Sequence, residues 1–145
     1  MEGCTRTIGY WKNHAGFGPQ PDLVSPLLPL WLGTPDSTKS LHVDSALVAY
    51  NVLRMRTYGD PSNGITKLYA QLLAAKLNIE NGADGGDVSE VIDEADAFLA
   101  LFDWHDWGSL NQRQRQAVLH WKDVLDSYNE GFIGPGHCDE EEDDD

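Results

Sequence analysis

The sequence predicts a mainly α-helical single domain, a compact bundle of about four helices behind a loop-rich N-terminal third, and three observations predict it. Four stretches carry apolar residues at helical spacing with start or stop signals at their ends. The connections between them are short, as in antiparallel bundles. The length of 145 residues suits one domain with a core of its own.

Residues 15–40 contain Pro19, Pro21, Pro26, Pro29 and Pro35, so no regular helix beyond a short turn is expected there. Two apolar alternations, "LPLWLG" and "SLHV", flank "TPDSTK" and predict a short β-hairpin, with Pro29 confining the first strand to an edge. The first helix is expected to begin at Asp44 or Ser45, either of which can cap "ALVAYNVLRMR". Leu47, Val48, Tyr50 or Asn51, and Met55 sample its faces, and Gly59 ends it. After "GDPSNG", Leu68, Leu72, Ala75 and Leu77 set out a second and most apolar helix, which Gly82 stops in the left-handed conformation. Asp87 with Glu90 has capping-box spacing and opens a third, whose broad apolar face is Val88, Val91, Ile92, Ala95, Phe98, Leu99 and Phe102. Ser109 with Gln112 repeats that spacing before a fourth, carried by Ala117, Val118, Trp121, Leu125 and Tyr128 as far as Gly131.

The formal net charge is −14, but seven of the 24 acidic residues form the unbroken run Asp139–Asp145. The remaining 17 face 10 basic residues, so the body of the chain is moderately acidic. Residues 1–138 read as one helical domain and 139–145 as a disordered, solvated acidic tail. A surface of this sign repels phosphate backbones and offers no basic stripe, which excludes nucleic acid as a partner. No apolar run reaches the roughly 18 residues needed to span a bilayer.

Cys4 and Cys138 are the two cysteines, 134 positions apart. They are too few for a four-cysteine zinc site and too distant for a CxxC redox pair. A disulfide joining the termini is the economical reading, with two buried or reactive thiols as the alternative. The bridge implies an oxidising compartment. The opening "MEG" then reads as a start joined to a trimmed chain.

Three segments, "CTRTIGYWKNH", "LLAAKLNIENGAD" and "LDSYNEGFIGPGHC", occur in that order from Cys4 to Cys138. Together they make the chain resemble a family of uncharacterised bacterial secreted domains. Those read Cys-x-x-Thr-x-Gly-Tyr-Trp-Lys-x-His, then Ala-Ala-Lys-Leu-Asn-x-x-Asn-Gly-Ala, then Tyr-Asn-x-Gly-x-Ile-Gly-Pro-Gly-His-Cys. The resemblance implies a signal peptide upstream, export, and an extracellular or cell-surface location. It carries no activity with it. The proline-rich residues 19–35 and the connector "FDWHDWGSLNQRQRQ" depart from the family pattern.

A bridge between Cys4 and Cys138 brings His137 close to "GYWKNH", with His14 as a candidate neighbour. Two imidazoles beside oxygen donors can hold Zn²⁺ or Cu²⁺, although catalytic zinc sites usually take three protein ligands. Tyr10, Trp11, Lys12, Asn13 and Asn129 can alternatively orient a small polar ligand. The plainer reading packs Tyr10, Trp11 and Phe132 beneath the bridge and sets His14 and His137 on backbone carbonyls. In "FDWHDW", Asp103, His105 and Asp106 with Trp104 and Trp107 can coordinate a cation or stack on a sugar, but such a connector more often closes the end of a bundle. His42 and His120 have no spaced partner. No nucleophile elbow, phosphate loop, HExxH or EF-hand is present.

Three function classes follow. The favoured one is a non-catalytic secreted or cell-surface structural or interaction module of a bacterial exported protein, without a cofactor, whose partner is an unidentified extracellular protein or surface component. The second is a Zn²⁺ or Cu²⁺ domain centred on His14 and His137. The third is a small hydrolase-like enzyme using Lys12, His14 and His137 as acid-base groups in an open pocket at the joined termini.

Overall fold

The computed structural model describes residues 3–139, so the acidic run beyond Asp139 lies outside the described residues. Within them the elements are α1 (Ile8–Asn13), β1 (Leu30–Leu32), β2 (Leu41–Val43), α2 (Ala46–Leu53), α3 (Gly64–Glu80), α4 (Ser89–Leu99) and α5 (Gln112–Asn129). Short 3₁₀ segments occupy Ser25–Leu27, Gly86–Val88 and Trp104–Ser109. The fold is the expected mainly helical one with a short antiparallel hairpin, in which Leu30, Trp31 and Leu32 face Val43, His42 and Leu41. A Cys4–Cys138 disulfide joins the termini.

At the centre stands α3, packed against α5, α2, α1 and β1. Twelve of its 17 residues are buried, so its apolar surface wraps round the helix instead of forming one stripe. Leu68, Leu72, Ala75 and Leu77 are all fully buried, as their spacing predicts. On the neighbours only one face is covered: Ala49, Val52 and Leu53 of α2, Ala95 and Leu99 of α4, and Val118, Leu125 and Tyr128 of α5. Leu47, on the outer face of α2, stays 53% exposed. No helix among the described residues is long and apolar enough to cross a membrane.

Helix ends explain where the structure departs from the expected boundaries. Ser45, not Asp44, caps α2, its side chain accepting from the Val48 amide. That helix stops at Leu53, well before Gly59. Met55 adopts φ +57°, its N–H donates to Val52 C=O, and the Arg56 N–H reaches back to Asn51 C=O. This is a Schellman closure with methionine where glycine is usual. The same closure ends α3 at Gly82 and α5 at Gly131, as the glycines predict. Asp87 caps nothing: α4 is entered through the 3₁₀ turn Gly86–Val88 and has no side-chain cap, while Asp84 accepts the Gly86 N–H. The cap of α5 is Asn111, which forms a reciprocal capping box with Gln114; Ser109 belongs to the preceding 3₁₀ segment and donates to Asp106 C=O. A shift of two residues suffices because Asn111 and Gln114 reproduce the same spacing with better-placed groups.

The hairpin and α4 are fastened to α3 by one half-buried ion pair. Lys76 Nζ donates to both Asp96 oxygens at 2.9 and 2.8 Å and to Trp31 C=O at 2.6 Å, and Asp96 also accepts from the Gly33 N–H. Burial raises the Asp96 carboxyl above its ordinary value, against the lowering effect of Lys76. A raised folded-state value means that protonation favours the fold: this contribution is complete below the unfolded value and is lost as pH rises through the folded one. Lys76→Met leaves the half-buried carboxylate without its counter-charge, and at neutral pH it should cost about 2–3 kcal/mol. The deficit should shrink as pH falls towards about 4, because a neutral Asp96 needs no cation. Urea unfolding of both proteins at the two pH values measures it, and a pH-independent deficit would contradict the assignment.

Candidate functional site

The joined termini are built from the first, middle and last of the three motifs. Cys4 and Cys138 lie with Cα atoms 4.9 Å apart. Beside the bridge, Thr5 N–H donates to Gly136 C=O and Cys138 N–H to Thr5 C=O, which pairs Thr5 with His137 in a parallel bridge. The returning chain approaches closely only because its turn is glycine: a Cβ on Gly131, at φ +89°, would stand 2.4 Å from the His137 backbone nitrogen. From Thr5 the chain enters α1, whose first turn is capped by the Thr7 hydroxyl accepting from the Tyr10 N–H. This helix was not expected from the sequence, since six residues are too few to show a period.

Asn78 of α3 holds the three motifs together. Its Oδ1 accepts from the Arg6 N–H at 2.9 Å and from Trp11 Nε1–H at 3.1 Å. Its Nδ2 donates to Arg6 C=O at 2.9 Å and to Asn129 Oδ1 at 2.9 Å. Asn78 thus grips both backbone polar groups of Arg6 as a neighbouring strand would. Both amide hydrogens and both acceptor directions of its side chain are occupied. Asn129 in turn donates to the backbone and side-chain carbonyls of Gln71 at 3.0 and 2.9 Å. Asn78, Asn129 and Trp11 are buried, so the Trp11–Asn78 and Asn78–Asn129 bonds replace water that cannot enter. On the far side, Tyr128 O–H donates to Asp84 C=O, and burial with the nearby Asp84 and Asp87 pushes the phenol up to about 12.

The remaining expected residues divide cleanly. Tyr10 and Trp11 are buried with their rings edge to face. His14 is buried, its ring stacked 4.0 Å from Tyr10 and its Nδ1–H donating to Tyr10 C=O at 2.9 Å. His137 Nδ1–H donates to Cys138 C=O at 2.8 Å. Both imidazoles therefore sit on backbone carbonyls, and no hydrogen bond or ring contact joins one to the other. Lys12 and Asn13 are half-buried and make no side-chain hydrogen bond or ion pair among the described residues. Phe132 is a correction: it is 79% exposed instead of packed beneath the bridge. It follows the left-handed Gly131, which swings the chain outward, and Ile133 packs against the core in its place.

"FDWHDW" forms the capped 3₁₀ segment that closes one end of the bundle. Asp103 accepts from the His105 N–H, while Asp106 Oδ2 accepts from the Asp103 N–H and from Lys39 Nζ at 2.9 Å. These bonds hold the Asp106 carboxyl below the usual range. Trp104 packs edge-on to Tyr58 and Tyr69, and Trp107 lies over Gly64, where a Cβ would come within 2.4 Å of the indole. His105 is exposed. His42 stacks on its cross-strand partner Trp31 at 4.2 Å, and His120 is exposed on α5. Among the described residues no group of three or more His, Cys, Asp or Glu is placed to hold a metal ion.

Asn78, Gln71 and the Lys76–Asp96 pair were missed as participants. The signal for Asn78 was available: an amide about two helical turns after Gln71, in a helix otherwise apolar on that side, must find a partner. Its partners, 72 and 51 positions away, leave no local trace. No protein-family model, curated protein or solved structure matches the chain.

Proposed function

We propose that the chain is a non-catalytic structural or interaction module of a bacterial exported protein, acting outside the cell or at its surface. The observation that supports this reading is that the distinctive side chains of all three motifs engage one another. Trp11, Asn78 and Asn129 form one buried hydrogen-bonded cluster, and both terminal imidazoles are held by carbonyls. Residues that resemble a signature here build a clasp, and the disulfide beside it suits an oxidising compartment. The partner in this reading is an extracellular protein or a component of the cell surface.

A clasp and a metal site give opposite orders of effect. In a clasp, Trp11→Ala should cost about 3–5 kcal/mol, as other large-to-small core changes do, and His14→Ala distinctly less. Melting should be indifferent to micromolar Zn²⁺ or Cu²⁺. A metal-dependent rise of several degrees, lost in both His14→Ala and His137→Ala and kept in protein without residues 139–145, would overturn the reading, because a ligand that prefers the folded state stabilises by mass action.

A further inference from the structure

Asparagine precedes glycine at Asn63–Gly64 and at Asn81–Gly82, and the fold holds the two pairs in opposite ways. In such a pair the glycine amide nitrogen can attack the asparagine Cγ, because glycine has no side chain to hinder the approach. The attack forms the N–Cγ bond of a cyclic succinimide and expels the side-chain nitrogen as ammonia. Water then opens the ring at either carbonyl to leave aspartate or isoaspartate, so water is consumed as ammonia is released and nothing is oxidised or reduced. We infer that Asn81 is a site of spontaneous deamidation in the folded protein, and that the fold protects Asn63.

Asn63 is held at each point that the reaction has to move. As the cap of α3, its Oδ1 accepts from the Ile65 and Thr66 N–H groups, and its Nδ2 donates to Trp104 C=O at 2.9 Å. The nitrogen that would attack belongs to the buried Gly64, which the Trp107 indole covers. Bringing Cγ to that nitrogen breaks three hydrogen bonds beneath a packed aromatic ring. Asn81, at the other end of the same helix, is exposed, and its side chain makes no hydrogen bond among the described residues. Gly82 stands in open space, where a Cβ would meet nothing within 4 Å. The restraints on its nitrogen are those of the helix end, namely a bond to Ile79 C=O at 3.0 Å and the near-helical ψ of 7° at Asn81. Helix ends fray at little cost in free energy, so this pair reaches the reactive geometry by a local opening.

Conversion at Asn81 acts on the clasp. Either product adds a negative charge beside Glu80 at the C-terminus of α3, where the helix dipole disfavours it. Isoaspartate also adds a carbon to the main chain immediately before Gly82. The Gly82 carbonyl lies so close to Gly3 that a Cβ on Gly3 would come within 2.5 Å of its oxygen, and Gly3 leads directly into Cys4. The lengthened chain therefore disturbs the seat of the N-terminal segment.

The test is incubation of the disulfide-intact chain at mildly alkaline pH, well below its melting temperature, followed by tryptic mass mapping. Residues 57–67 and 77–113 place the two asparagines in different peptides, and fragmentation assigns the converted residue. In the folded protein Asn81 should convert at least about tenfold faster than Asn63. In urea-unfolded protein the two rates should agree to within about threefold, because only local sequence remains to distinguish them. The isoaspartyl form, separated by its added charge, should unfold at a lower urea concentration than the parent. Equal rates in the folded protein, or an Asn81 that stays intact for as long as the unfolded chain takes to convert, would overturn the assignment. An isoaspartyl form with the parent's unfolding midpoint would overturn its link to the clasp.

Discussion

Asn78→Ala is expected to destabilise the protein by about 3–5 kcal/mol, although the substitution removes only one short polar side chain. It strands the Arg6 N–H and C=O, Trp11 Nε1–H and Asn129 Oδ1 together. An unmet buried polar group costs about 1–3 kcal/mol, and water entering the vacated space offsets part of the sum. Asn78→Asp is the sharper variant because it preserves volume. A carboxylate can still accept from Arg6 and Trp11, but it would face Arg6 C=O and Asn129 Oδ1 with oxygen against oxygen. Both variants should therefore lose stability in urea unfolding. A loss below about 1 kcal/mol in both would show that the amide does not hold the motifs together.

Replacing both cysteines with serine should have an effect of similar size. Closing a loop with a sequence separation of 134 restricts the unfolded chain by about 5 kcal/mol in the chain-entropy model, an upper figure because denatured-state structure erodes it. The variant should nevertheless fold. The Thr5–Gly136 and Thr5–Cys138 backbone bonds and the Asn78 grip on Arg6 remain to seat the N-terminal segment. Equilibrium unfolding with and without reductant measures the loss, and non-reducing mass spectrometry checks the bond. Two free thiols in protein folded under oxidising conditions would remove its basis.

Much of this architecture was legible because it is written locally. The buried face of α3, the glycine stops at Gly82 and Gly131, and the hairpin around "TPDSTK" each follow from spacing and turn chemistry within a few residues. The pairing of Cys4 with Cys138 followed from having two cysteines to join. What escaped depends on partners remote in sequence or on strain. The end of α2 was misplaced because Met55 accepts a left-handed conformation that residue type alone assigns to Gly59. Phe132 was placed in the core by its apolarity, but a single residue beyond a left-handed turn can point either way. The terminal motifs were recognised as a unit, yet their centre lies on Asn78, outside both.

Native-state hydrogen exchange at the clasp tests the central claim most directly. If the motifs are a structural fastening continuous with the core, the Arg6 amide and the Trp11 indole N–H, both held by Asn78, should exchange only through global unfolding. Their protection should then match that of the buried α3 amides of Leu72 and Leu73. Exchange of Arg6 and Trp11 orders of magnitude faster than those amides, in disulfide-intact protein, would show a clasp that opens while the bundle stays folded and would contradict the account.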